Sequence, residues 1–246
     1  MNHFCSAKMK CASYDCRRTS VIAAKLHLME LQGRRFRPVM VTPTYRPGVG
    51  WHPSHIGAYV DHVRKWFSRK TGELLRYVWV AESQDGTHTL DGIGRDMVHY
   101  HCIFFLPTGL RMPKADTQGW WPYGMTNTLL CTSPVGYVMS YAKKLARKAG
   151  IPSGARLYGV GGLSKAARLI RRWINFPSFV QARADVRDEF RRQPGGGWTN
   201  CATGEWWPSE YGLALVTRRH SVVVRLHDHG RPLADVVGPF TWLGGP

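Results

Sequence analysis

The sequence predicts an α+β fold in which helices pack on one antiparallel five-stranded sheet. Segments rich in β-branched and aromatic residues are interspersed with segments whose apolar residues recur at helical spacing. Two of the β-rich segments follow each other with no helix between them, which favours antiparallel pairing. The resulting order is strand, helix, strand, strand, short strand, helix, strand, and this differs from the regular alternation of a doubly wound parallel fold.

The first half of the predicted sheet follows a basic N-terminal extension, residues 1–36. Within this extension a helix is predicted between Thr19 and Gly33, since Thr and Ser cap helices and Gly ends them. A strand is predicted over residues 37–47, where Val and Tyr lie between two prolines. A second helix is predicted from Ser54, because apolar residues then recur at intervals of three or four.

The second half is predicted to contain two long strands, a short strand and a closing strand. The long strands cover residues 73–83 and 96–107, separated by a loop rich in Gly and Asp. The short strand follows a Trp-rich loop within residues 119–133. A helix then starts at Pro134, a residue favoured in the first helical turn, and the last strand is predicted over residues 155–162.

Residues 164–246 are predicted to form a basic C-terminal extension. In order, this extension is predicted to contain a basic helix over 164–176, a second helix over 180–192, a glycine-rich hairpin over 194–209 and a strand over 220–230. The sequence therefore predicts three parts, with a core domain over residues 37–163 between the two extensions.

The chain is strongly basic and rich in aromatic residues. Its 34 Lys and Arg outnumber its 16 Asp and Glu, which gives a formal net charge of +18, and it contains 10 Trp and 10 Tyr. Such side chains suit single-stranded nucleic acid, because phosphates are neutralised while bases stack; solubility alone is the alternative. No apolar run is long enough for a membrane span and no secretory signal is visible, so we expect no membrane partner.

The six cysteines lack the spacing of a disulfide framework, which favours a reducing cytoplasm. Cys5, Cys11 and Cys16 could bind zinc together with His3 or His27, but they lack the closely spaced pair typical of zinc sites. The role of the three cysteines stays open.

Two histidines on the second long strand form the first candidate site. His99 and His101 are two residues apart, so they project from the same face of the strand, as two ligands of one ion would. Solvated or hydrogen-bonded histidines are the alternative. Glu82, near the end of the preceding strand, is the best candidate for a third ligand. Asp85 and His88 are weaker candidates because they lie in the loop.

Two tyrosines and a lysine form the second candidate site. Tyr137, Tyr141 and Lys144 are spaced i, i+4 and i+7 on a predicted helix, which places them on one stripe. Two core tyrosines and an exposed lysine would give the same pattern. Beside a metal ion, however, a tyrosine could attack a phosphodiester, and a lysine could stabilise the phenolate or the phosphate.

These motifs, in this order, resemble the HUH endonuclease superfamily of rolling-circle replication initiators. The strand MVHYHCIFFLP followed by YVMSYAKK carries the resemblance, and VTPTYRP resembles the superfamily's first motif. The segments GWWPYGMTNTLLCTSPVGYVMSYAKK, GVGGLS and GWTNCATGEWWPS are similar to replication initiation proteins of filamentous bacteriophages. The resemblance covers roughly residues 37–212.

The resemblance implies an RRM-like HUH nuclease core and a site-specific, metal-dependent single-strand DNA endonuclease and strand transferase. Such an enzyme nicks the origin through a 5′-phosphotyrosine intermediate and starts rolling-circle replication of phage DNA. It implies that Glu82, His99 and His101 bind Mg²⁺ or Mn²⁺. It also implies that Tyr137 and Tyr141 act as nucleophiles in alternation, while Ser140, where relatives often carry lysine, leaves open which lysine assists which tyrosine.

The implied partners are origin DNA, single-stranded or hairpin, together with a host helicase and DNA polymerase in the bacterial host cytoplasm. Three alternatives remain. The chain could be a plasmid initiator or a single-strand transposase with the same core, or a non-catalytic single-strand DNA-binding protein. The origin sequence, the order in which the tyrosines act, the physiological metal and the oligomeric state stay open.

Overall fold

The structure, a computed structural model, describes residues 12–84, 97–144, 155–193, 197–208, 211–216 and 221–225. The chain divides into two compact units, Met1–Arg171 and Arg172–Pro246. None of the helices that the structure describes is long and apolar enough to cross a membrane.

A five-stranded antiparallel sheet forms the centre of the first unit. Its strands are β1 (Phe36–Tyr45), β2 (Arg76–Gln84), β3 (Met97–Pro107), β4 (Gly124–Leu130) and β5 (Tyr158–Gly161). They are arranged in the order β4-β1-β3-β2-β5, and every neighbouring pair is antiparallel. The predicted α+β class with five antiparallel strands is confirmed, and β3 is the central strand.

Helices cover both faces of this sheet. They are α1 (Ala12–Glu30), α2 (His55–Thr71), α3 (Pro134–Lys144) and the first residues of α4 (Lys165–Ile174). On one face, α2 packs into a core that contains Tyr59, Val41 and Phe104. On the opposite face, α1 and α3 pack on β2 and on each other, and their core contains Val138 and Ile103.

Local sequence explains where these helices begin and end. α2 ends at Gly72, whose φ of 71° is the left-handed conformation that glycine adopts readily, and its N–H donates to the Ser68 carbonyl. α3 begins at Pro134 as predicted. α1 begins at Ala12, earlier than predicted, and the stretch between Ala12 and Thr19 contains no Gly or Pro that would stop a helix.

The second unit contains short elements around an aromatic core. They are α5 (Ser178–Gln181), β6 (Phe190–Arg192), β7 (Trp198–Asn200), β8 (Trp206–Trp207), β9 (Tyr211–Val216) and β10 (Ser221–Arg225). The first three strands pair antiparallel in the order β6-β7-β8, and β9 pairs with β10. The predicted hairpin is confirmed by the pairing of β7 with β8, whereas β9 was not predicted.

The helix predicted over residues 180–192 is wrong for most of its length. Asp185 accepts a hydrogen bond from the Arg187 backbone N–H at 2.9 Å, and Asp188 accepts one from the Asp185 N–H at 2.8 Å. Aspartate side chains that bond nearby backbone in this way favour turns over helices. Phe190 then lies in a strand, because it packs with Trp207 and Phe176 in the aromatic core.

Candidate metal centre and tyrosine pair

Three buried side chains from two neighbouring strands converge on one face of the sheet. Glu82 on β2 lies directly opposite His99 on β3, and His101 follows two residues later. Their exposed fractions are 8%, 7% and 7%. One ligand atom from each of them lies within 4.8 Å of the others, so the group could hold a metal ion.

The carboxylate of Glu82 lies between the two imidazoles. Its Oε2 atom is 3.0 Å from Nε2 of His99 and 2.6 Å from Nε2 of His101. Both rings therefore turn the same nitrogen toward one point. Charged and polar groups are buried at a high cost in free energy unless they are paired or bind a metal, so this cluster is either a hydrogen-bonded triad or a ligand set.

The donor atoms fit a divalent cation. Metal–ligand bonds of about 2.1 Å hold ligand atoms roughly 3 to 4 Å apart, close to the separations in this cluster. Two imidazoles and one carboxylate are typical ligands of transition ions such as Mn²⁺, while Mg²⁺ prefers oxygen ligands and retains water. Three protein ligands leave positions for water and for substrate oxygen.

The central position of β3 explains why these ligands are held in place. The side chains of Tyr100 and Cys102 point to the opposite face of β3, where both are fully buried against the α2 side of the core. Residues on both sides of β3 also fix the ligands. The hydroxyl of Thr42 on β1 lies 3.4 Å from Nδ1 of His101, where it can orient the imidazole from behind.

α3 places the two tyrosines at different distances from this cluster. The ring of Tyr141 lies flat on the ring of His101, with centroids 3.4 Å apart and planes within 9°. The ring of Tyr137 lies 6.2 Å from that of Tyr141, one helical turn away. Both tyrosines are partly buried against the same core. The structure therefore brings Tyr141 into contact with a candidate metal ligand and places Tyr137 farther out.

Lys144 is the last residue of α3, and its side chain lies outside the residues that the structure describes, as does that of Lys143. Ser140 donates a hydrogen bond to the Tyr137 carbonyl at 2.9 Å and is exposed. Its hydroxyl thus remains engaged with its own helix at the position where relatives often carry lysine.

Other candidates from the sequence lie elsewhere. Asp85 and His88 lie outside the described residues, as do Cys5, Cys11 and the side chain of Cys16. His27 is fully buried under α1, with Nε2 3.2 Å from the Tyr77 carbonyl oxygen. Burial is the main reason that the pKa of His27 is lowered to about 4.

Sequence reasoning missed the contribution of Thr42. A single threonine in a strand carries no signal of its own, and the pairing of β1 with β3 was needed to place it behind His101. The VTPTYRP segment, which contains Thr42, was the one indication that β1 contributes to the site.

Comparison with known proteins relates this region to replication. Residues 38–146 match a family model that describes replication-associated proteins of the ORF2 type. This segment is similar to replication-associated proteins. It contains the candidate metal ligands, both tyrosines and Lys144. No curated protein and no solved structure matches the chain. The match supports a role in DNA replication, for which binding to DNA is expected.

Proposed function

We propose that this protein is a site-specific, metal-dependent DNA endonuclease and strand transferase that nicks one strand at the origin and starts rolling-circle replication of phage DNA. One observation carries the proposal: a tyrosine lies directly on a ligand of a buried Glu-His-His cluster, inside a segment similar to replication-associated proteins. A bound Mg²⁺ or Mn²⁺ would neutralise negative charge on the phosphate during the reaction.

The proposed reaction is a transesterification. The hydroxyl oxygen of a tyrosine attacks the scissile phosphorus, and the bond between phosphorus and the 3′ oxygen breaks. The tyrosine loses its proton and the 3′ oxygen gains one, so the products are a 5′-phosphotyrosine link and a free 3′ hydroxyl for a polymerase. The number of phosphoester bonds is unchanged, so the step can run in reverse when a 3′ hydroxyl attacks the link and rejoins the strand.

Tyr137 and Tyr141 are proposed to serve as the two nucleophiles, one for nicking and one for the transfer that follows a round of synthesis. Lys144 is proposed to stabilise the phenolate or the phosphate oxygens. The protein would act with a host helicase and a DNA polymerase in the bacterial host cytoplasm, because nicking alone neither separates strands nor synthesises DNA.

The test is the formation of a covalent adduct. The protein is incubated with a labelled single strand spanning the origin and with Mn²⁺ or Mg²⁺, and denaturing gel electrophoresis reveals any label that stays on the protein. We expect an adduct that EDTA prevents and that Tyr137→Phe combined with Tyr141→Phe abolishes. Tyr123→Phe is the matched control, because Tyr123 packs in the core on the α2 side of the sheet, away from the cluster.

The outcome separates the alternatives. No adduct at a verified origin, with DNA binding intact, would indicate a non-catalytic single-strand DNA-binding protein instead. An adduct that forms on transposon-end hairpins or on a plasmid origin, and not on a phage origin, would assign the same chemistry to a transposase or a plasmid initiator.

A further inference from the structure

The edge strand β4 exposes apolar side chains. The exposed fractions of Met125, Leu129 and Leu130 are 69%, 49% and 64%, and the strand GMTNTLL contains no charged residue. Proteins commonly protect such edges with Lys, Pro or a covering element, because an exposed apolar edge can pair with other chains. An unprotected edge of this kind indicates a surface that binds something.

The strand pairing shows which of these residues face the candidate metal centre. Met125 lies opposite Thr44, Thr44 lies opposite His99, and His99 lies opposite Glu82. Paired residues in adjacent strands point to the same side of a sheet. Met125 therefore points to the face that carries the ligands, about 10 Å from His99 across two strand spacings.

Alternation along β4 extends this row into a surface. Asn127 lies opposite Thr42, and Leu129 lies opposite Met40, so both share the face of Met125. Leu130 and Thr128 lie opposite Val39 and Val41, which belong to the core on the α2 side. We call five residues on the ligand-bearing side the open face: Thr42, Thr44, Met125, Asn127 and Leu129.

The helices on this side of the sheet leave the open face uncovered. Among the described elements, α1 packs mainly on β2 and β5, and α3 packs mainly on β2 and β3. The cluster thus lies at the border between the part of the sheet under α3 and the open face. Met125, Asn127 and Leu129 are exposed, and Thr42 and Thr44 are partly exposed.

The open face is held in a fixed position from the opposite side. Thr126 is buried, and its backbone N–H and hydroxyl both donate to the Asp116 carboxylate, at 3.3 and 3.2 Å. The loop before β4 is thereby tied to the strand. A surface fixed before binding loses less conformational entropy when a ligand arrives.

We propose that the open face binds the single-stranded DNA next to the scissile phosphate. The inference rests on the proposed function and assigns the position of its substrate. Met125 and Leu129 offer apolar surface to the faces of bases, which are accessible in single strands and stacked inside a duplex. The amide of Asn127 can both donate to and accept from a base edge. None of the five residues carries a negative charge that would repel phosphate.

Adjacent leucines on β4 provide a matched test. Leu129 and Leu130 are the same residue type on the same strand, both are about half exposed or more, and they point to opposite faces. The variants Met125→Ala with Leu129→Ala, and Leu130→Ala as control, are made in the Tyr137→Phe, Tyr141→Phe background, so that binding is measured without turnover. The probe is a fluorescent single strand of about 20 nucleotides, followed by anisotropy.

We expect the Met125→Ala, Leu129→Ala variant to bind the single strand about ten-fold more weakly than its parent, because two apolar contacts with bases are lost. The Leu130→Ala control is expected to stay within about two-fold of the parent. Thermal unfolding establishes that the variants are folded, and Asn127→Ala provides a second variant on the same face. Equal affinity of all variants would overturn the inference.

The same variants with native tyrosines separate this inference from the proposed function. Adduct formation combined with unchanged DNA affinity in Met125→Ala, Leu129→Ala would overturn the open face as the DNA site and leave the nicking activity standing. Weakened binding in that variant, with no adduct from the parent, would support the open face and overturn nicking. A dimer that Met125→Ala, Leu129→Ala dissociates while DNA binding is unchanged would show the face to be a protein interface, and would overturn the inference.

Discussion

The two tyrosines of α3 differ in their contact with the candidate metal centre. Tyr141 stacks on His101, whereas Tyr137 lies one turn away, so we expect Tyr141 to form the first adduct. Tyr141→Phe keeps the stacked ring and removes only the hydroxyl. This variant should lower the rate of initial adduct formation at least about a thousand-fold, while Tyr137→Phe should retain it and fail in the second transfer. Mass spectrometry of the labelled peptide checks the assignment, and an adduct on Tyr137 in the parent would contradict it.

The candidate ligands predict stabilisation by metal. A cation that binds only the folded chain raises its stability, by about 2.7 kcal/mol when the ion is present at 100 times its dissociation constant. We expect Mn²⁺ to raise the unfolding temperature of the parent, and EDTA to abolish the rise. Glu82→Gln should remove the effect because the anionic ligand is lost. Glu73→Gln is the control, since Glu73 is an exposed carboxylate paired with Arg34 at 2.9 Å; equal Mn²⁺ effects in both variants would contradict the site.

His27 predicts loss of stability in acid. Burial lowers its pKa to about 4, below the ordinary 6.5, so the unfolded chain binds more protons between these values. Stability contributed by neutral His27 is complete above pH 6.5 and falls as the pH drops toward 4, by up to about 3 kcal/mol. Urea unfolding at both ends of this window should show a smaller pH dependence for His27→Gln, which stays neutral and can still donate to the Tyr77 carbonyl. An identical pH dependence would contradict the assignment.

The ligand residues illustrate what the sequence could show at this scale. The period of two placed His99 and His101 on one face, and consecutive strands suggested that Glu82 lay near them. The pairing of Glu82 with His99 required the structure, because the loop between β2 and β3 is too long to fix the register. The stacking of Tyr141 also required it, since the helical stripe does not show which strand α3 covers.

At the scale of the elements, β5 contains a glycine that the packing requires. A Cβ atom on Gly159 would collide with the indole of Trp79, which crosses β5 from the neighbouring strand. We expect Gly159→Ala to lower the free energy of unfolding by about 1–3 kcal/mol. Gly57, in α2, has open space at its Cβ position and an exposed site, so Gly57→Ala should raise stability by about 0.5–1 kcal/mol. Chemical denaturation measures both, and equal effects would contradict the close packing at Gly159.

Strong patterns predicted elements well, and weak patterns did not. The periodicity of α2 and the apolar run of β3 are long enough to outweigh local effects, so both elements appear where the sequence predicted them. In the segment 180–192 the helical pattern is short, and the hydrogen bonds of Asp185 and Asp188 to backbone decide the structure in favour of a turn. The open face could not be predicted, because it depends on which strand forms the edge of the sheet.

At the scale of the whole molecule, the basic excess is concentrated in the first unit. Of the formal +18, little belongs to the residues after Arg171, which contain nine arginines and seven acidic residues. The unit with the candidate metal centre thus carries most of the charge that attracts a polyanion. Composition alone predicted an attraction to nucleic acid, but the distribution of charge between two units depended on where the structure divides the chain.

This charge predicts how DNA binding responds to salt. Each phosphate that the protein neutralises releases condensed counterions, so affinity for single strands should fall with a log–log slope of about −0.7 per phosphate, and we expect a total of about −3 or steeper. Met125→Ala with Leu129→Ala should lower affinity at every salt concentration without changing the slope, because those side chains neutralise no phosphate. Anisotropy titrations between about 50 and 200 mM salt measure both quantities. A slope near zero would contradict binding through phosphates, and a shallower slope in the variant would place those side chains against the backbone of the strand instead of its bases.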